Sequence, residues 1–454
     1  MQISNIRWEI EPRCNLKCKH CFIGSKLDDY SELKFEDAKR IIDKLVVYGT
    51  KSIFLSTKEP LLFKDIDKLI LYCTIKGIHT ELITNGILLQ DELFAERIIN
   101  SGVGSISISL EGISKESNDY IRGEGTLEKI INALNVLKKI ANSKKQVPIV
   151  IQMSLNKKNK IEAKHIPEFF NALPIDALVI GGLSMDGNAK DNSDLLLTPD
   201  EFVQTWEIIL ENYFKLNEKR FYINSKSFLP IEAIYYNLFY NTDFCPIPPR
   251  CGFLTGSYSL LPNGDIVPCV AILDKENEIG ILPKVNFIKE NESEEKVEQF
   301  ANFKTKLNQL IKSNKPESCL SCYWENECIP CPSGIIQKQF NNEISARCIN
   351  AKKRIESYLK DVKRSANNYY IFVRENTLFH IKTDKLILIR YYEHGGLFKK
   401  VYKSDLQKIN ILQKIFDNKE IKLEDLINEF NNYQALINFL KTLVYDNFIL
   451  FRRI

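Results

Sequence analysis

Cys14, Cys18 and Cys21 share one short stretch, Glu11-Pro-Arg-Cys14-Asn-Leu-Lys-Cys18-Lys-His-Cys21-Phe22. Three thiolates at this spacing can surround a 4Fe–4S cube and leave its fourth iron without a protein ligand. An open iron is what a substrate or cofactor can chelate. Zinc is the competing reading, but a closed zinc site needs a fourth ligand, and His20 inside the loop is sterically awkward for that role. Eight more cysteines fall in two later groups: Cys245, Cys251 and Cys269, then Cys319, Cys322, Cys328, Cys331 and Cys348. By spacing alone, Cys319, Cys322, Cys328 and Cys331 also fit a zinc ribbon. Cys73 stands apart on the apolar face of an expected helix and reads as a core residue.

The rest of the chain must hold these thiols reduced and in place. Hydrophobic residues make up 44% and charged residues 26% of the 454, an ordinary globular composition. No apolar run reaches the ~20 residues that span a bilayer, and the N-terminus has no signal-peptide core. A cytoplasmic place without a membrane partner is therefore expected, where cysteines stay thiols. With 62 basic and 58 acidic residues, a net charge of +4 does not indicate nucleic acid.

Short β-branched runs at Ile3–Glu11, Ser52–Leu55, His79–Ile83, Ser105–Leu110, Ile149–Ser154 and Ala177–Ile180 predict strands. Stripes of helical period at Phe35–Val47, Ile66–Cys73, Leu93–Ile99, Leu127–Ile140 and Ile161–Ala172 lie between them. Six strand–helix units of this length predict an α/β fold, a parallel sheet curling into a partial (β/α)6 barrel. Chemistry in such sheets sits in the loops at the C-terminal ends of strands, and the cysteine triad follows the first strand.

The triad with an aromatic directly after it resembles the signature loop of radical S-adenosylmethionine (SAM) enzymes. Thr84-Asn85-Gly86, Ser109-Leu110-Glu111-Gly112 and Asn118-Asp119-Tyr120-Ile121-Arg122-Gly123 extend the likeness over residues 5–185. The resemblance implies that Cys14, Cys18 and Cys21 hold a 4Fe–4S cluster whose open iron binds the amino and carboxylate groups of SAM. It further implies that Arg122 pairs with the SAM carboxylate, that Ser109 lies near ribose or methionine, and that the backbone at Phe22 contacts adenine. Two positions depart from the family pattern. The usual Gly-Gly-Glu-Pro is Thr57-Lys58-Glu59-Pro60, and Glu111 stands where Asp is commoner. Glu59 still suits the SAM amine, and the ammonium of Lys58 is expected to contact SAM or the substrate.

The later cysteines resemble the SPASM extension of the same enzymes, with two auxiliary 4Fe–4S clusters, three in all. By that resemblance Cys245, Cys251, Cys269 and Cys331 hold the first auxiliary cluster, and Cys319, Cys322, Cys328 and Cys348 the second. Eight thiolates then fill two cubes with none to spare. The expected domains are a barrel at 1–185, connecting helical segments at 186–240, a cysteine-rich auxiliary-cluster domain at 241–360, and a small α+β C-terminal domain at 365–454.

In that tail, Tyr369–Arg374, Leu378–Lys382 and Leu386–Tyr392 predict a three-stranded meander, followed by three helices at Asp405–Phe416, Leu423–Phe430 and Tyr433–Val444 and a closing strand at Phe448–Phe451. The outline is similar to peptide-recognition domains of peptide-modifying enzymes and to winged helices. A leader peptide would add a strand at an exposed edge, at Tyr369–Arg374 or Leu386–Tyr392. The function implied is radical, oxidative modification of a ribosomally made precursor peptide, such as a thioether crosslink, with flavodoxin or ferredoxin as electron donor. A maturase oxidising a sulfatase active-site residue, or a catalytically impaired relative that binds peptide, are the alternatives.

Overall fold

The computed structural model describes residues 3–143, 147–225, 229–240, 242–245, 251–289, 294–320, 322–325, 328, 331, 333, 345–364, 369–374, 377–382, 385–391, 397–403, 406–429 and 433–453. The chain divides into two units. The first comprises 1–227, 250–315 and 329–343, and the second 228–249, 316–328 and 344–454.

In the first unit, seven parallel strands run in chain order: β1 (Asn5–Trp8), β2 (Ser52–Leu55), β3 (His79–Thr84), β4 (Ser105–Ser109), β5 (Ile149–Leu155), β6 (Ala177–Gly182) and β7 (Tyr222–Ser225). All six strands expected from β-branched runs are present. β1 is shorter than expected, and its burial alternates: Ile6 and Trp8 are fully covered while Asn5 and Arg7 are not. Helices at Phe35–Val47, Ile66–Ile75, Glu92–Asn100 and Thr126–Ser143 follow the expected stripes. The expected helix Ile161–Ala172 is only Ile166–Asn171, after a 3-10 turn at Lys160–Glu162. An eight-residue helix, Lys115–Arg122, starts at a capping box between Ser114 and Ser117, which fixes where Arg122 emerges.

Two features lie beyond the expected barrel. The segment 186–240, expected to be connecting helices, contributes β7, which pairs Tyr222–Ser225 with Ala177–Ile180. On the other side of the sheet, β8 (Ser257–Leu260) pairs in parallel with β1, Asn5 opposite Ser257. β9 (Asp265–Val267) and β10 (Val285–Asn286) continue antiparallel, giving ten strands. A helix at Glu294–Ser313 comes next in the chain.

The second unit combines helices Pro230–Tyr240 and Ser345–Arg364 with the tail. Its strands are β11 (Tyr369–Val373), β12 (Thr377–Lys382), β13 (Lys385–Tyr391), β14 (Leu397–Lys403), β15 (Glu420–Lys422) and β16 (Ile449–Arg453). The tail helices Leu406–Asn418, Leu423–Glu429 and Tyr433–Tyr445 fall where helical period places them. Tyr392, Asp405 and Phe430, which bound three expected elements, lie outside the described residues. The strand pairing differs from the single meander expected. β11 sits between β15 and β16 in one sheet, and β12–β13–β14 form a second. Both strands expected as exposed edges, Tyr369–Arg374 and Leu386–Tyr392, are therefore central, because each is flanked on both sides by antiparallel partners.

The tail also shares a unit with cysteine-bearing segments instead of standing alone at 365–454. Buried Arg374 donates to the Thr242 carbonyl (2.6 Å) and to Asp243 Oδ1 (2.9 Å). Tyr323 Oη donates to Asp446 Oδ2 (2.8 Å), and its ring stacks on Tyr445.

Candidate active site

The C-terminal ends of β1 to β6 surround a cavity of about 910 Å3. The triad loop forms one wall, and Cys14, Cys18 and Cys21 all line it, half-buried. The loop has little regular structure, so its carbonyls are held from outside. Asn188 N–H donates to the Cys21 carbonyl (2.9 Å), Asn188 Nδ2 to Cys18 O (3.0 Å), and Asn192 Nδ2 to Lys19 O (3.2 Å). Lys19 N–H donates to the Ile121 carbonyl (2.9 Å), one residue before Arg122. Gly187, at φ +56°, makes the close approach possible: a Cβ there would stand 2.3 Å from the Cys21 carbonyl oxygen.

Burial raises the Cys14 thiol to about 11 and moves Cys18 upward, with Arg122 pulling the latter back. Such thiols ionise when a metal supplies the compensating charge. Among the described residues, no three His, Cys, Asp or Glu side chains converge tightly enough for a single metal ion. A four-iron cube, with each thiolate on a separate iron, requires a wider spacing. Arg122 is the strongest sign of a missing ligand. Its side chain is buried, its Nε has no partner among the described residues, and it lines the cavity. The donor set fits a cluster on Cys14, Cys18 and Cys21 beside an anionic group at Arg122.

Arg122 Nη1 is held by Glu111 Oε1 at 3.4 Å, and His20 Nε2 approaches the same oxygen at 3.1 Å. Glu111 Oε2 accepts from Ser154 N–H (2.7 Å). Burial alone would push the Glu111 carboxyl up, but His20, Arg122 and the Ser154 amide together hold it below its ordinary value. Glu111 thus joins the triad loop, the Arg122 helix and β5. His20, discounted at first as a ligand, is one of its partners. Ser109 lines the cavity at the end of β4.

The Thr57-Lys58-Glu59-Pro60 segment keeps a glycine-like backbone despite its side chains. Thr57 has φ 69° and Lys58 φ 49°, costing roughly 1–2 kcal/mol each. Lys58 lines the cavity, but its ammonium donates to the Gly24 carbonyl (2.7 Å) and to Asp28 (2.5 Å), tethering the loop that follows the triad. Glu59 is fully buried; its Oε1 accepts from Thr84 Oγ1 (2.6 Å) and Leu61 N–H (3.1 Å), and its Oε2 from Asn85 N–H (2.8 Å). Desolvation outweighs these bonds and raises its carboxyl. Glu59 therefore braces the ends of β2 and β3. Phe22 lines the cavity with the Arg7 guanidinium 5.2 Å over its ring.

The later cysteines gather in both units. In the first, burial pushes Cys269 up to about 12 and raises Cys251, and Cys331 adds to both shifts. The segments beside them meet at buried Asp186, which accepts from Lys26 (3.3 Å), Lys275 (3.2 Å) and Ser333 (2.8 Å). In the second unit, burial drives Cys348 well above its ordinary value, with Glu232, Cys328 and Cys322 adding to the rise. Cys319 and Cys322 share one turn, Cys322 N–H donating to the Cys319 carbonyl (3.0 Å). Cys245 falls in the second unit. Cys73 is fully buried, as expected of a core residue.

The parallel α/β sheet thus carries three thiols on the loop after its first strand, with a buried arginine on the same cavity. Residues 8–153 match the family model described as the Radical SAM superfamily, and this part of the chain is a radical SAM domain. The Fe-coproporphyrin III synthase of Methanosarcina barkeri is 32% identical over 225 residues, 47% of this chain and 52% of that protein. The mycofactocin maturase MftC of Mycolicibacterium smegmatis is 30% identical over 146 residues, 32% of this chain and 37% of that protein. The chain thus spans about half, or less, of these relatives. Streptococcus suis SuiB bound to its precursor peptide SuiA aligns with a TM-score of 0.57 over 75% of this chain and 74% of that one, at 17% identity, a likeness of fold. No described helix is long and apolar enough to cross a membrane.

Proposed function

We propose that this chain is a radical SAM maturase that oxidatively modifies a ribosomally made precursor peptide in the cytoplasm. The observation that carries this reading is the cavity itself. Three thiols and the unsatisfied Arg122 Nε face a space of about 910 Å3, near the upper end of the ~300–1,000 Å3 usual for ligand pockets. It has room for a cofactor and part of a substrate. Bound at Cys14, Cys18 and Cys21, a 4Fe–4S cluster with SAM supplies a 5′-deoxyadenosyl radical for hydrogen abstraction. Arg122 orients the SAM carboxylate, Glu111, itself steadied by His20, holds Arg122, Ser109 lies at the ribose or methionine, and Phe22 presents its backbone to adenine.

Joining two substrate atoms after hydrogen abstraction releases one electron and one proton, so a crosslink needs an acceptor. Cys251, Cys269 and Cys331, and separately Cys319, Cys322, Cys328 and Cys348, are the residues that would hold auxiliary clusters for that electron. Flavodoxin or ferredoxin is the donor for SAM cleavage. The tail is the candidate leader-binding element, and strand addition would use β12, β14, β15 or β16, which lie at sheet edges.

The test is anaerobic reconstitution with SAM, dithionite and the short peptides encoded beside the gene. Formation of 5′-deoxyadenosine with loss of two hydrogens from one peptide supports the reading; an iron-loaded protein that cleaves no SAM overturns it. The tetrapyrrole relatives favour a second reading, a porphyrin substrate. Turnover of Fe-coproporphyrin III, followed by absorbance, in place of peptide modification would select it.

A further inference from the structure

Arg7 has no part in the reading above, yet its guanidinium is held in the cavity by three contacts. Nε donates to Glu9 Oε1 (3.1 Å) and Nη2 to Thr57 Oγ1 (3.2 Å), and the plane lies over Phe22. Nη1 is left over, on a side chain that stays 40% exposed. Among the other cations of the wall, Arg13, Lys58 and Arg122 each face a carboxylate, although Arg122 keeps its unsatisfied Nε, and Lys17 also lines the cavity. Arg13 pairs with Glu11 and Glu32, Lys58 with Asp28, and Arg122 with Glu111.

Glu9 neutralises Arg7 less well. It is fully buried, and desolvation raises its carboxyl to about 7 against the pull of Arg7, Thr57 and Ser56. Near neutrality Glu9 carries a proton part of the time, so it offsets the guanidinium charge only in part. Thr57 is the residue that replaces a glycine of the family pattern, and its left-handed backbone is strained. That strain places the hydroxyl that fixes Arg7, an arrangement typical of binding sites.

We propose that Arg7, fixed by Thr57 and Glu9 and stacked on Phe22, binds a carboxylate of the substrate and makes the cavity selective for acidic substrates. This deepens the proposed function and rests on its reading that the cavity takes SAM and a substrate together. The remaining Nη1 can donate a charge-assisted hydrogen bond to a carboxylate oxygen in the guanidinium plane. A peptide substrate would present Asp, Glu or a terminal carboxylate beside the reacting residue.

Selection from a phage-displayed random heptapeptide library on immobilised, cluster-reconstituted, SAM-loaded protein tests this. Wild type should enrich sequences bearing Asp or Glu at least ten-fold over their amide counterparts. Arg7→Gln should lose the enrichment, Arg7→Lys should keep part of it, and Thr57→Val, isosteric and equally strained, should weaken it several-fold. Equal acidic enrichment by wild type and Arg7→Gln, or none by wild type, overturns the proposal. So does a SAM affinity reduced more than ten-fold in Arg7→Gln by calorimetry, which would make Arg7 a SAM ligand. Wild-type protein that neither takes up iron nor binds SAM would instead remove the reading beneath it.

Discussion

The triad loop and the Cys319–Cys348 region both collect thiols, by opposite means. The triad sits on a loop gripped through its carbonyls by Asn188 and Asn192, and one side faces a cavity. Cys348 sits on the helix Ser345–Arg364, beside an Arg347–Glu232 pair in which two bonds of 2.7 Å are buried almost completely. The triad faces open space on one side; at Cys348, burial and the Arg347–Glu232 pair crowd a single thiol, while Cys319, Cys322 and Cys328 are as half-buried as the triad. The proposed roles, a site that takes a small molecule and a site that holds an auxiliary cluster, are what the following variants set against each other.

The sharpest break would come from the cysteines. Replacing Cys14, Cys18 and Cys21 with Ala should remove about four irons and abolish 5′-deoxyadenosine formation. Replacing Cys322, Cys328 and Cys348 should remove a similar amount of iron but leave SAM binding in place. Iron assay and calorimetry read both, and loss of SAM binding in the second variant would erase the contrast.

Next in size is Arg347→Leu, which strands the Glu232 carboxylate in a buried site. Breaking such a pair costs about 3–5 kcal/mol, and hydrogen exchange along Ser345–Arg364 should report it while the β2–β3 region stays protected.

Glu9 gives a comparable but pH-dependent effect on the cavity side. Its carboxyl is raised from 4.5 to about 7 by burial, with Arg7, Thr57 and Ser56 facing it. The stability linked to it is complete below about pH 4.5 and is lost as pH rises through 7. Glu9→Gln cannot ionise and should gain up to roughly 3 kcal/mol over wild type by pH 8. Urea midpoints of the two proteins across pH 5–8 should diverge; parallel curves would mean that Glu9 stays charged.

The smallest effect is Lys58→Gly. Glycine relieves a left-handed residue, worth about 1 kcal/mol, and gives up a partly exposed ion pair worth about 0.2–1 kcal/mol. SAM affinity should stay within a few-fold of wild type, since the ammonium is occupied by Asp28 and Gly24.

The thiol spacing and the six apolar runs could be read from the chain because both are local. β7 could not: only Ile223 of its four residues is buried, and only Phe221 separates it from the polar run 217–220. The pairing of β8 with β1 joins positions about 250 residues apart, and no periodicity encodes that. In the tail, β11, β12, β13 and β16 were recognisable as strands but β14 and β15 were not, and β11 pairs with β16 rather than with its neighbour β12, a choice made by tertiary packing. At the site, the motifs located Ser109, Glu59 and Arg122 without their partners. Gly187 and Asn188 escaped notice because their role is visible only beside the Cys21 carbonyl.

The parallel pairing of β8 with β1 also decides where this protein can be cut. Ser4 N–H donates to Gly256 O and Glu9 N–H to Leu260 O, at 3.1 and 2.8 Å. A fragment ending after β7 contains every strand of the expected barrel, yet it would leave the outer hydrogen-bonding row of β1 bare. An uncovered strand edge is a template for other chains. The triad-bearing half of this chain is therefore not an autonomous module: separated from residues 251–289, it should precipitate or pair with itself instead of folding to a smaller barrel.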